Sequence, residues 1–315
     1  MKNNVLLIIV PCYNEEEVLP ESSLRLLSIC KELETQKELK GKILFVDDGS
    51  KDNTWEIVES LSNQYPEFIS GLKLAHNVGH QNALWAGMEE AAGKCSAIVS
   101  IDADLQDNEK MIIDMAAQFL EGKDVIYGIR KEREKDTFFK RQSAQSYYKL
   151  MKLAGSDLVY NHADFRLLSE RALIALLSFP ERNLFIRGLV RQLGFKEGYV
   201  YYDRQARQAG KSKYPFSKML HFAVEGITSF SIKPLRIILY SGIFSQIVSI
   251  LIIIYALYEH YVNNTVPGWT SILVSIWFIG GTILVAMGII GSYIGKIYYE
   301  VKRRPRYFIE ERLNL

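Results

Sequence analysis

The stretch SAIVSIDADLQD, residues 96–107, decides the fold. It begins as an apolar, β-branched run typical of a buried strand and ends in two aspartates, Asp102 and Asp104. Carboxylates at positions i and i+2 after a strand can share a hard cation such as Mg²⁺, which also binds water and phosphate oxygens. Gln106 can add a neutral oxygen. Acid pairs are common on protein surfaces, so the position directly after a buried strand is what favours a functional role here.

The chain before this stretch alternates between short apolar strands and amphipathic helices. Such alternation predicts an α/β fold with a mostly parallel sheet covered on both faces. Ligands bind such sheets at the carboxyl ends of the strands, so the loops there form the candidate site. The predicted strands are residues 5–10, 42–47, 69–75 and 97–101, and the predicted helices are residues 15–39, 53–64, 81–92 and 110–120.

A second acidic turn, DDGS at residues 47–50, also follows a predicted strand. Gly49 permits a tight bend there, and Asp48 can accept hydrogen bonds from a base or ribose. The alternative is a plain β-turn in which Ser50 or Asp52 caps the next helix.

A third loop, PCYNEE at residues 11–16, offers Tyr13 for stacking and Asn14 and Glu15 for hydrogen bonding. Taken singly, each of these loops is more often a structural turn. Three of them at three strand ends predict one site suited to a nucleotide and a metal ion.

Composition narrows the class of protein. The chain has 315 residues, of which 48% are hydrophobic and 23% charged, so it is neither disordered nor collagen-like. Its 38 basic and 36 acidic residues give a net charge of +2, which argues against a nucleic-acid partner. Three widely spaced cysteines argue against a disulfide framework or a thiolate zinc site and favour a reducing compartment.

Apolar residues are concentrated near the C-terminus. Between Arg236 and Lys296 there is no Lys, Arg or Asp, and Glu259 is the only Glu. As helices, residues 237–258 and 270–294 would be about 33 and 37 Å long, enough to cross a hydrocarbon core of about 30 Å. Two buried core helices are the alternative, but helices of soluble domains carry a polar face. We therefore predict two membrane-spanning helices.

Basic residues flank this apolar region at both ends, whereas the loop at residues 259–269 has no Lys or Arg. The positive-inside bias predicts that both termini are cytoplasmic, and the basic residues can also engage anionic membrane lipid. The predicted organisation is a cytoplasmic catalytic domain at 1–215, an amphipathic interfacial segment at 216–235, a transmembrane hairpin at 236–295 and a basic cytoplasmic tail at 296–315.

Six stretches occur in the order found in family 2 glycosyltransferases, and they most resemble the polyprenyl-phosphate branch of bactoprenol glucosyltransferases and dolichol-phosphate mannosyltransferases. The six are PCYNEE (11–16), DDGS (47–50), NVGHQNAL (77–84), DADLQD (102–107), ADFRLLS (163–169) and RQAGKSKY (207–214). The resemblance extends over nearly the whole chain. It implies a GT-A, Rossmann-like fold and an inverting transfer from a nucleoside-diphosphate sugar to a polyprenyl phosphate in the bacterial cytoplasmic membrane.

The resemblance also implies roles for individual residues. Asp102, Asp104 and Gln106 would hold Mg²⁺ or Mn²⁺ on the donor diphosphate, and Asp104 and Asp164 would be the catalytic residues. The nucleotide pocket would be lined by Pro11, Tyr13, Asn14, Glu15, Asp47 and Asp48, the donor diphosphate would be bound by Arg207 and Lys213, and the acceptor phosphate by Arg130 and Arg141. One position departs from the branch: Gln145 replaces a serine, for which Ser143 or Ser146 can substitute.

The chemistry of a phosphate acceptor gives Asp164 a specific role. The second pKa of a phosphate monoester is near 6, so the acceptor is mostly dianionic at pH 7 and does not require a general base. We expect Asp164 to position an arginine or sugar hydroxyls rather than to accept a proton. We expect His76, His80 and His162, which lie near the motifs, either to be structural or to support the site residues from behind.

Several alternatives stay open at this point. UDP-glucose is the expected donor and undecaprenyl phosphate the expected acceptor, with UDP-GlcNAc, UDP-galactose and GDP-mannose as alternative donors. A processive polysaccharide synthase would need more spans than two, and a non-catalytic scaffold or flippase accessory would not need the acidic and basic residues named above. A flippase, a downstream glycosyltransferase and a second copy of the chain are the expected protein partners.

Overall fold

The computed structural model describes residues 4–130, 162–182, 184–203 and 269–315, together with five single positions between 235 and 251. Among these, the residues up to Asp203 and those from Arg304 onward belong to one compact unit. The helix that ends at Lys302 belongs to a second unit.

The described elements are listed here in chain order. They are β1 (Val5–Cys12), α1 (Leu19–Lys37), β2 (Lys40–Asp47), α2 (Thr54–Gln64), β3 (Ile69–Leu74), α3 (His80–Ala91), β4 (Ala97–Ser100), α4 (Met111–Leu120), β5 (Val125–Arg130), β6 (His162–Ser169), α5 (Glu170–Leu177), α6 (Ile186–Gln192), β7 (Glu197–Tyr202), α7 (Trp269–Lys302) and β8 (Ile309–Leu313).

One eight-stranded sheet, in the order β7-β5-β6-β4-β1-β2-β3-β8, organises the first unit. β1 pairs in parallel with β2 and β4, β2 with β3, and β5 with β7. Two strands run the other way: β6 lies antiparallel between β4 and β5, and β8 lies antiparallel to β3. The predicted mostly parallel sheet is confirmed, and the four predicted strands and four predicted helices are all present, with shifted ends.

The central strand β1 is apolar throughout because both faces of the sheet are covered. Leu6 and Ile8 enter the core that α1 and α4 cover, whereas Ile9 faces α3. Glycine is required at position 87 of α3, since a Cβ there would lie 2.6 Å from Ile9 Cγ2 and 2.9 Å from Val46 Cγ2. This close packing fixes the position of α3 over β1 and β2.

The predicted basic tail at 296–315 comprises the end of α7 and the strand β8. α7 continues to Lys302, and the residues from Arg304 onward rejoin the first unit, where β8 covers the free edge of β3. Trp55 Nε1 donates a hydrogen bond to Glu311 Oε2 at 3.1 Å across this edge. The added strand satisfies backbone groups of β3 that would otherwise face solvent.

The predicted second membrane span, residues 270–294, lies within α7, and most of the first, 237–258, lies outside the described residues. Across the described part of the chain, no helix is both long enough and apolar enough to cross a membrane. The two membrane spans therefore stay a prediction, as do the boundaries at 215 and 235, which also fall outside or at the limit of the described residues.

Candidate active site

The sheet brings the predicted loops to one edge. The loops after β1, β2, β3 and β4 all follow the carboxyl ends of parallel strands, so they meet at the same edge. Because β6 runs antiparallel to β4, its first residues also lie at that edge, and Ser100 Oγ donates a hydrogen bond to the Asp164 carbonyl at 2.5 Å. Arg130 ends β5 there as well, because β5 is antiparallel to β6.

The loop after β1 is tied to the loop after β2. Asn14 Oδ1 accepts a hydrogen bond from the Lys51 amide at 2.8 Å, and the Asn14 amide donates to Ser50 Oγ at 3.0 Å. Pro11 lies buried in β1 itself, whereas the side chain of Tyr13 is about 40% exposed. Asn14 thus shapes the loop, and Tyr13 is accessible for stacking.

Glu15 lies in the same junction of loops. Its amide donates a hydrogen bond to Thr54 Oγ1 at 2.9 Å, at the start of α2. The backbone of Glu15 therefore helps to join the two loops, and the side chain is part-buried at the same edge of the sheet.

Asp47 and Asp48 are buried and shape the loops around them. Asp47 accepts hydrogen bonds from the amide and the hydroxyl of Ser50, which fits the plain β-turn that the sequence left open. Asp48 accepts from the amides of Val78 at 2.7 Å and Gly79 at 2.9 Å. Burial raises the pKa of both aspartates, and these hydrogen bonds oppose the rise. The structure thus places Asp48 against the loop after β3, and its predicted contact with a nucleotide stays a prediction.

The acidic turn after β4 is locally constrained. Leu105 has a positive φ of 42°, and its amide donates to the Asp102 carbonyl at 3.2 Å. Gln106 is buried, and its Nε2 donates to Asp104 Oδ2 at 2.9 Å. In this arrangement the Gln106 Nε2 group orients Asp104, and the predicted role of the Gln106 Oε1 oxygen as a metal ligand stays a prediction.

Negative charge accumulates around Asp102. Partial burial raises the pKa of Asp102, and the carboxylates of Asp164, Asp107 and Asp104 raise it further. His80 opposes this rise, with Nε2 lying 3.8 Å from Asp102 Oδ1. Like-charged carboxylates at close range are a feature that a bound cation would relieve. This charge distribution fits a divalent metal ion.

The charge around Asp102 favours a metal ion, but the side-chain geometry of the described residues does not by itself define a metal site. Within the described ranges, no three His, Cys, Asp or Glu side chains are arranged as a metal-binding group. Asp102, Asp104 and Gln106 lie on one short turn, so metal binding by these residues stays a prediction.

Asp164 is held by two arginines. Arg187 Nε lies 3.0 Å from Asp164 Oδ1 and Arg187 Nη2 lies 2.8 Å from Oδ2, and Arg166 Nη2 also donates to Oδ1. Burial alone would raise the pKa of Asp164, but the positive charges of Arg187 and Arg166 hold it well below its ordinary value. The His80 imidazole Nε2 lies 3.8 Å from Asp164 Oδ2 and so stands between Asp164 and Asp102.

The sequence did not point to Arg166 or Arg187 as members of this cluster, and it predicted for His80 only a structural or supporting role near the motifs. Arg166 carried a usable signal, because a charged residue within an apolar strand needs a buried partner. Its side chain is fully buried, and Nε and Nη1 have no hydrogen-bond partner in the described structure. Arg187 gave no such signal, since its proximity to Asp164 depends on how α6 returns to the sheet.

Arg130, predicted to bind the acceptor phosphate, lies at the same edge and pairs with the buried Asp107. Arg141, Arg207 and Lys213 lie outside the described residues, as do Gln145 and its neighbours. Their predicted contacts stay predictions.

A mostly parallel sheet with an acidic turn and arginine-paired carboxylates at its carboxyl edge defines a GT-A-like α/β glycosyltransferase fold. The chain belongs to glycosyl transferase family 2, whose family model matches residues 7–177.

Relatives extend this similarity to nearly the whole chain. An uncharacterized glycosyltransferase, YkoT of Bacillus subtilis, is 49% identical over 310 residues, which cover 97% of this chain and 91% of that protein. The SfII prophage-derived bactoprenol glucosyl transferase of Shigella flexneri is 38% identical over 306 residues, covering 96% and 97%. Among solved structures, mannosyl-3-phosphoglycerate synthase of Rubrobacter xylanophilus superimposes with a TM-score of 0.48 at 15% identity, covering 71% of this chain and 73% of that one.

Proposed function

We propose that this glycosyltransferase transfers a hexose, with inversion, from a nucleoside-diphosphate sugar to undecaprenyl phosphate. UDP-glucose is the proposed donor, and UDP-GlcNAc, UDP-galactose and GDP-mannose are the alternatives. Similarity to proteins named bactoprenol glucosyl transferase over nearly the full chain supports the acceptor class. The product would be a polyprenyl-monophosphate sugar for modification of cell-envelope glycans.

One observation carries the proposal: Asp164 is ion-paired with Arg187 and Arg166. A carboxylate whose pKa is held low is a weak proton acceptor, so it is poorly suited to activate a hydroxyl group. It is well suited to hold arginines in place around a phosphate acceptor, which is already ionised at pH 7. The site therefore supports a phosphate acceptor better than a sugar hydroxyl.

In the proposed reaction, a phosphate oxygen of the acceptor attacks the anomeric carbon of the sugar. The bond from this carbon to the diphosphate oxygen breaks, and the electron pair leaves with the nucleoside diphosphate. No proton has to move, so the chain's task is to orient two anions and to screen their repulsion. Arg130 and Arg141 would bind the acceptor phosphate, and Arg207 and Lys213 the donor diphosphate.

We propose Mg²⁺ or Mn²⁺ as the cofactor, held by Asp102 and Asp104. When bound, the ion supplies positive charge to the leaving diphosphate. The accumulated carboxylates around Asp102 support this assignment, and Gln106 supports it by orienting Asp104. Tyr13 would stack on the nucleotide base from the neighbouring loop.

We further propose that residues 236–295 anchor the chain in the bacterial cytoplasmic membrane, with the catalytic unit in the cytoplasm. The apolar composition of this region supports membrane contact, as do exposed apolar side chains along α7, including Ile272, Ile276, Ile283, Ile290 and Ile294. Because β7 and β8 belong to one sheet, a chain that crosses the membrane between them crosses it an even number of times. This argument favours the predicted two-helix hairpin over a single span.

The direct test is transfer of radiolabelled sugar to undecaprenyl phosphate in membranes that contain the full chain. Each UDP- or GDP-sugar is supplied with and without EDTA, and Asp104→Ala is compared with Asp114→Ala, which removes an exposed acid on α4. We expect one donor to give an EDTA-sensitive glycolipid that Asp104→Ala abolishes and Asp114→Ala does not. Absence of product with every donor would contradict the proposed reaction and favour a non-catalytic role.

A further inference from the structure

The C-terminal tail, residues 304–315, contacts α3 as well as the edge of the sheet. Arg306 contacts both an aromatic ring and a carboxylate of α3. Its guanidinium carbon lies 4.5 Å from the centre of the Trp85 ring, and its side chain is only 10% exposed. A buried guanidinium stacked on an aromatic ring is held in a defined orientation.

Arg306 also joins two elements that are not adjacent in sequence. Its Nη1 lies 3.5 Å from Glu89 Oε1 on α3, and its Nη2 donates to the Glu181 carbonyl at 2.6 Å. Glu181 lies in the connection between α5 and α6. A single side chain from the tail therefore holds α3 and this connection together.

Glu89 is the point at which these contacts converge. Trp85 Nε1 donates to Glu89 Oε1 at 2.7 Å, and the Tyr307 hydroxyl donates to Glu89 Oε2. The Glu89 carboxylate thus contacts two residues of the tail, Arg306 and Tyr307, and one residue of α3, Trp85. Shared acceptors of this kind make the contacts mutually dependent.

The other end of α3 belongs to the candidate active site. His80, the first residue of α3, lies between Asp102 and Asp164, and Gln81 Oε1 accepts from the Ile186 amide at 3.1 Å. The next residue, Arg187, pairs with Asp164. The described residues of 181–187 are therefore tied to α3 at two points, by Arg306 at Glu181 and by Gln81 at Ile186.

We propose that Arg306 is a positioning residue for sugar transfer. By tying α3 to the segment 181–187 through Glu89 and Glu181, it sets how Arg187 and His80 stand against Asp164. The inference rests on the proposed function, since it assigns Arg306 a part in that reaction. Arg306 follows the end of α7 by four positions.

The test compares Arg306→Ala with Arg312→Ala in the full-length protein. Arg312 belongs to the same tail and pairs with the neighbouring acid of α3, with Nε 3.2 Å from Glu90 Oε2, whereas Arg306 pairs with Glu89 and with the Glu181 carbonyl. We expect Arg306→Ala to lower kcat about tenfold or more, because small displacements of positioning groups are costly. The donor KM should change less than about twofold, and Arg312→Ala should leave both constants near those of the unsubstituted chain.

Two further variants separate positioning from simple loss of stability. Arg306→Lys keeps the positive charge beside Glu89 but lacks the planar guanidinium group, whose two nitrogens contact Glu89 and the Glu181 carbonyl at once. We therefore expect Arg306→Lys to restore only part of kcat. Glu89→Gln weakens the same contact without creating a cavity, and we expect a smaller fall in kcat with the protein folded. Equal kcat for Arg306→Ala and Arg312→Ala would overturn the inference.

Hydrogen exchange gives a readout that does not depend on the reaction. We expect faster amide exchange at residues 80–82 and 181–187 in Arg306→Ala but not in Arg312→Ala. If the unsubstituted chain transfers no sugar, the proposed function fails while the exchange pattern still tests the role of Arg306. If exchange in these two segments is the same in both variants, the positioning role is contradicted even when the enzyme is active.

Discussion

Asp107 binds Arg130 through both of its carboxylate oxygens, at 2.9 Å from Arg130 Nε to Oδ1 and 3.0 Å from Nη2 to Oδ2. Asp107 is buried in the acidic turn, and Arg130 ends β5, 23 positions later. Burial alone would lower the pKa of Arg130, but the charge of Asp107 raises it. The pair fixes the direction of a guanidinium that we propose binds the acceptor phosphate.

Replacing Asp107 should therefore weaken acceptor binding selectively. We expect Asp107→Ala to raise the KM for undecaprenyl phosphate about tenfold, since oriented charged hydrogen bonds contribute about 1.5–3 kcal/mol each. The KM for the sugar donor should change little. Steady-state kinetics with each substrate varied in turn provides the measurement.

The acidic turn supplies a matched control for this variant. Glu109 is also buried and likewise contacts an arginine through both carboxylate oxygens, namely Arg25 of α1 at 3.0 and 2.6 Å. Glu109→Ala should cost stability without a selective change in acceptor KM. A similar rise in acceptor KM in both variants would show that Arg130 acts only through the stability of the turn.

Removal of the Asp164 carboxylate should destabilise the protein strongly. Asp164→Asn leaves Arg187 and the fully buried Arg166 without their shared anion, and loss of one partner of a buried ion pair typically costs about 3–5 kcal/mol. Asp124→Asn is the control, because its partner Arg171 is exposed and can be hydrated instead. Thermal unfolding of both variants should show the larger fall in Tm for Asp164→Asn, and the opposite order would contradict the burial argument.

The same carboxylate predicts a dependence of stability on pH. The pKa of Asp164 is lower in the folded than in the unfolded chain, so its ionised form stabilises the fold above the unfolded value of about 3.9. This stabilisation should be constant between pH 5 and pH 7 and should be lost as pH falls below about 4. The difference in the free energy of unfolding between Asp164→Asn and the unsubstituted protein should then shrink only below about pH 4. If this difference in the free energy of unfolding already changes between pH 6 and pH 7, titration of another group dominates the pH dependence.

Metal removal should reveal the repulsion around Asp102. In EDTA at pH 7, we expect Asp102→Asn to raise Tm, because it removes one of four neighbouring carboxylates. Added Mn²⁺ should stabilise the unsubstituted protein and not this variant, and sugar transfer by the variant should be lost. Asp114→Asn, on the exposed face of α4, should alter none of these measurements. A fall in Tm for Asp102→Asn in EDTA would show that the carboxylate is structurally required.

The turn after β2 should tolerate no side chain at position 49. Gly49 has a φ of 66°, and an added Cβ would lie 2.7 Å from the His76 carbonyl carbon and 2.8 Å from the Asn77 amide nitrogen. Gly93→Ala is the control, since Gly93 also has a positive φ, 76°, but nothing lies within 4 Å of its added Cβ. Both variants incur backbone strain of about 1–3 kcal/mol, and Gly49→Ala adds a clash with backbone. Equal losses in the free energy of unfolding would mean that the loop at 76–79 moves aside readily.

Much of the fold could be predicted from the sequence because its signals are local. The strand β1 is apolar at successive positions since both of its faces are buried, and the acidic turn follows β4 directly along the chain. Loops after parallel strands necessarily meet at one edge, so the expected location of the site followed from the order of elements alone.

The C-terminal residues show a strand pairing that local sequence patterns do not predict. Residues 296–315 are rich in basic residues, which predicted a basic cytoplasmic tail but no strand, and β8 pairs with β3 more than 230 positions earlier in the chain. Nothing in the period or composition of a five-residue strand specifies a partner so distant, because that choice depends on which sheet edge is left uncovered.

The sequence by itself determined the alternation of strands and helices, the acidic turn at Asp102 and Asp104, and the family to which the chain belongs. Only the tertiary structure decided which charges neutralise one another. It sets Arg187 against Asp164, and it brings Arg306 from the tail onto α3. The physical reason is that burial makes a charge depend on a nearby partner in space, whereas the sequence specifies only neighbours along the chain.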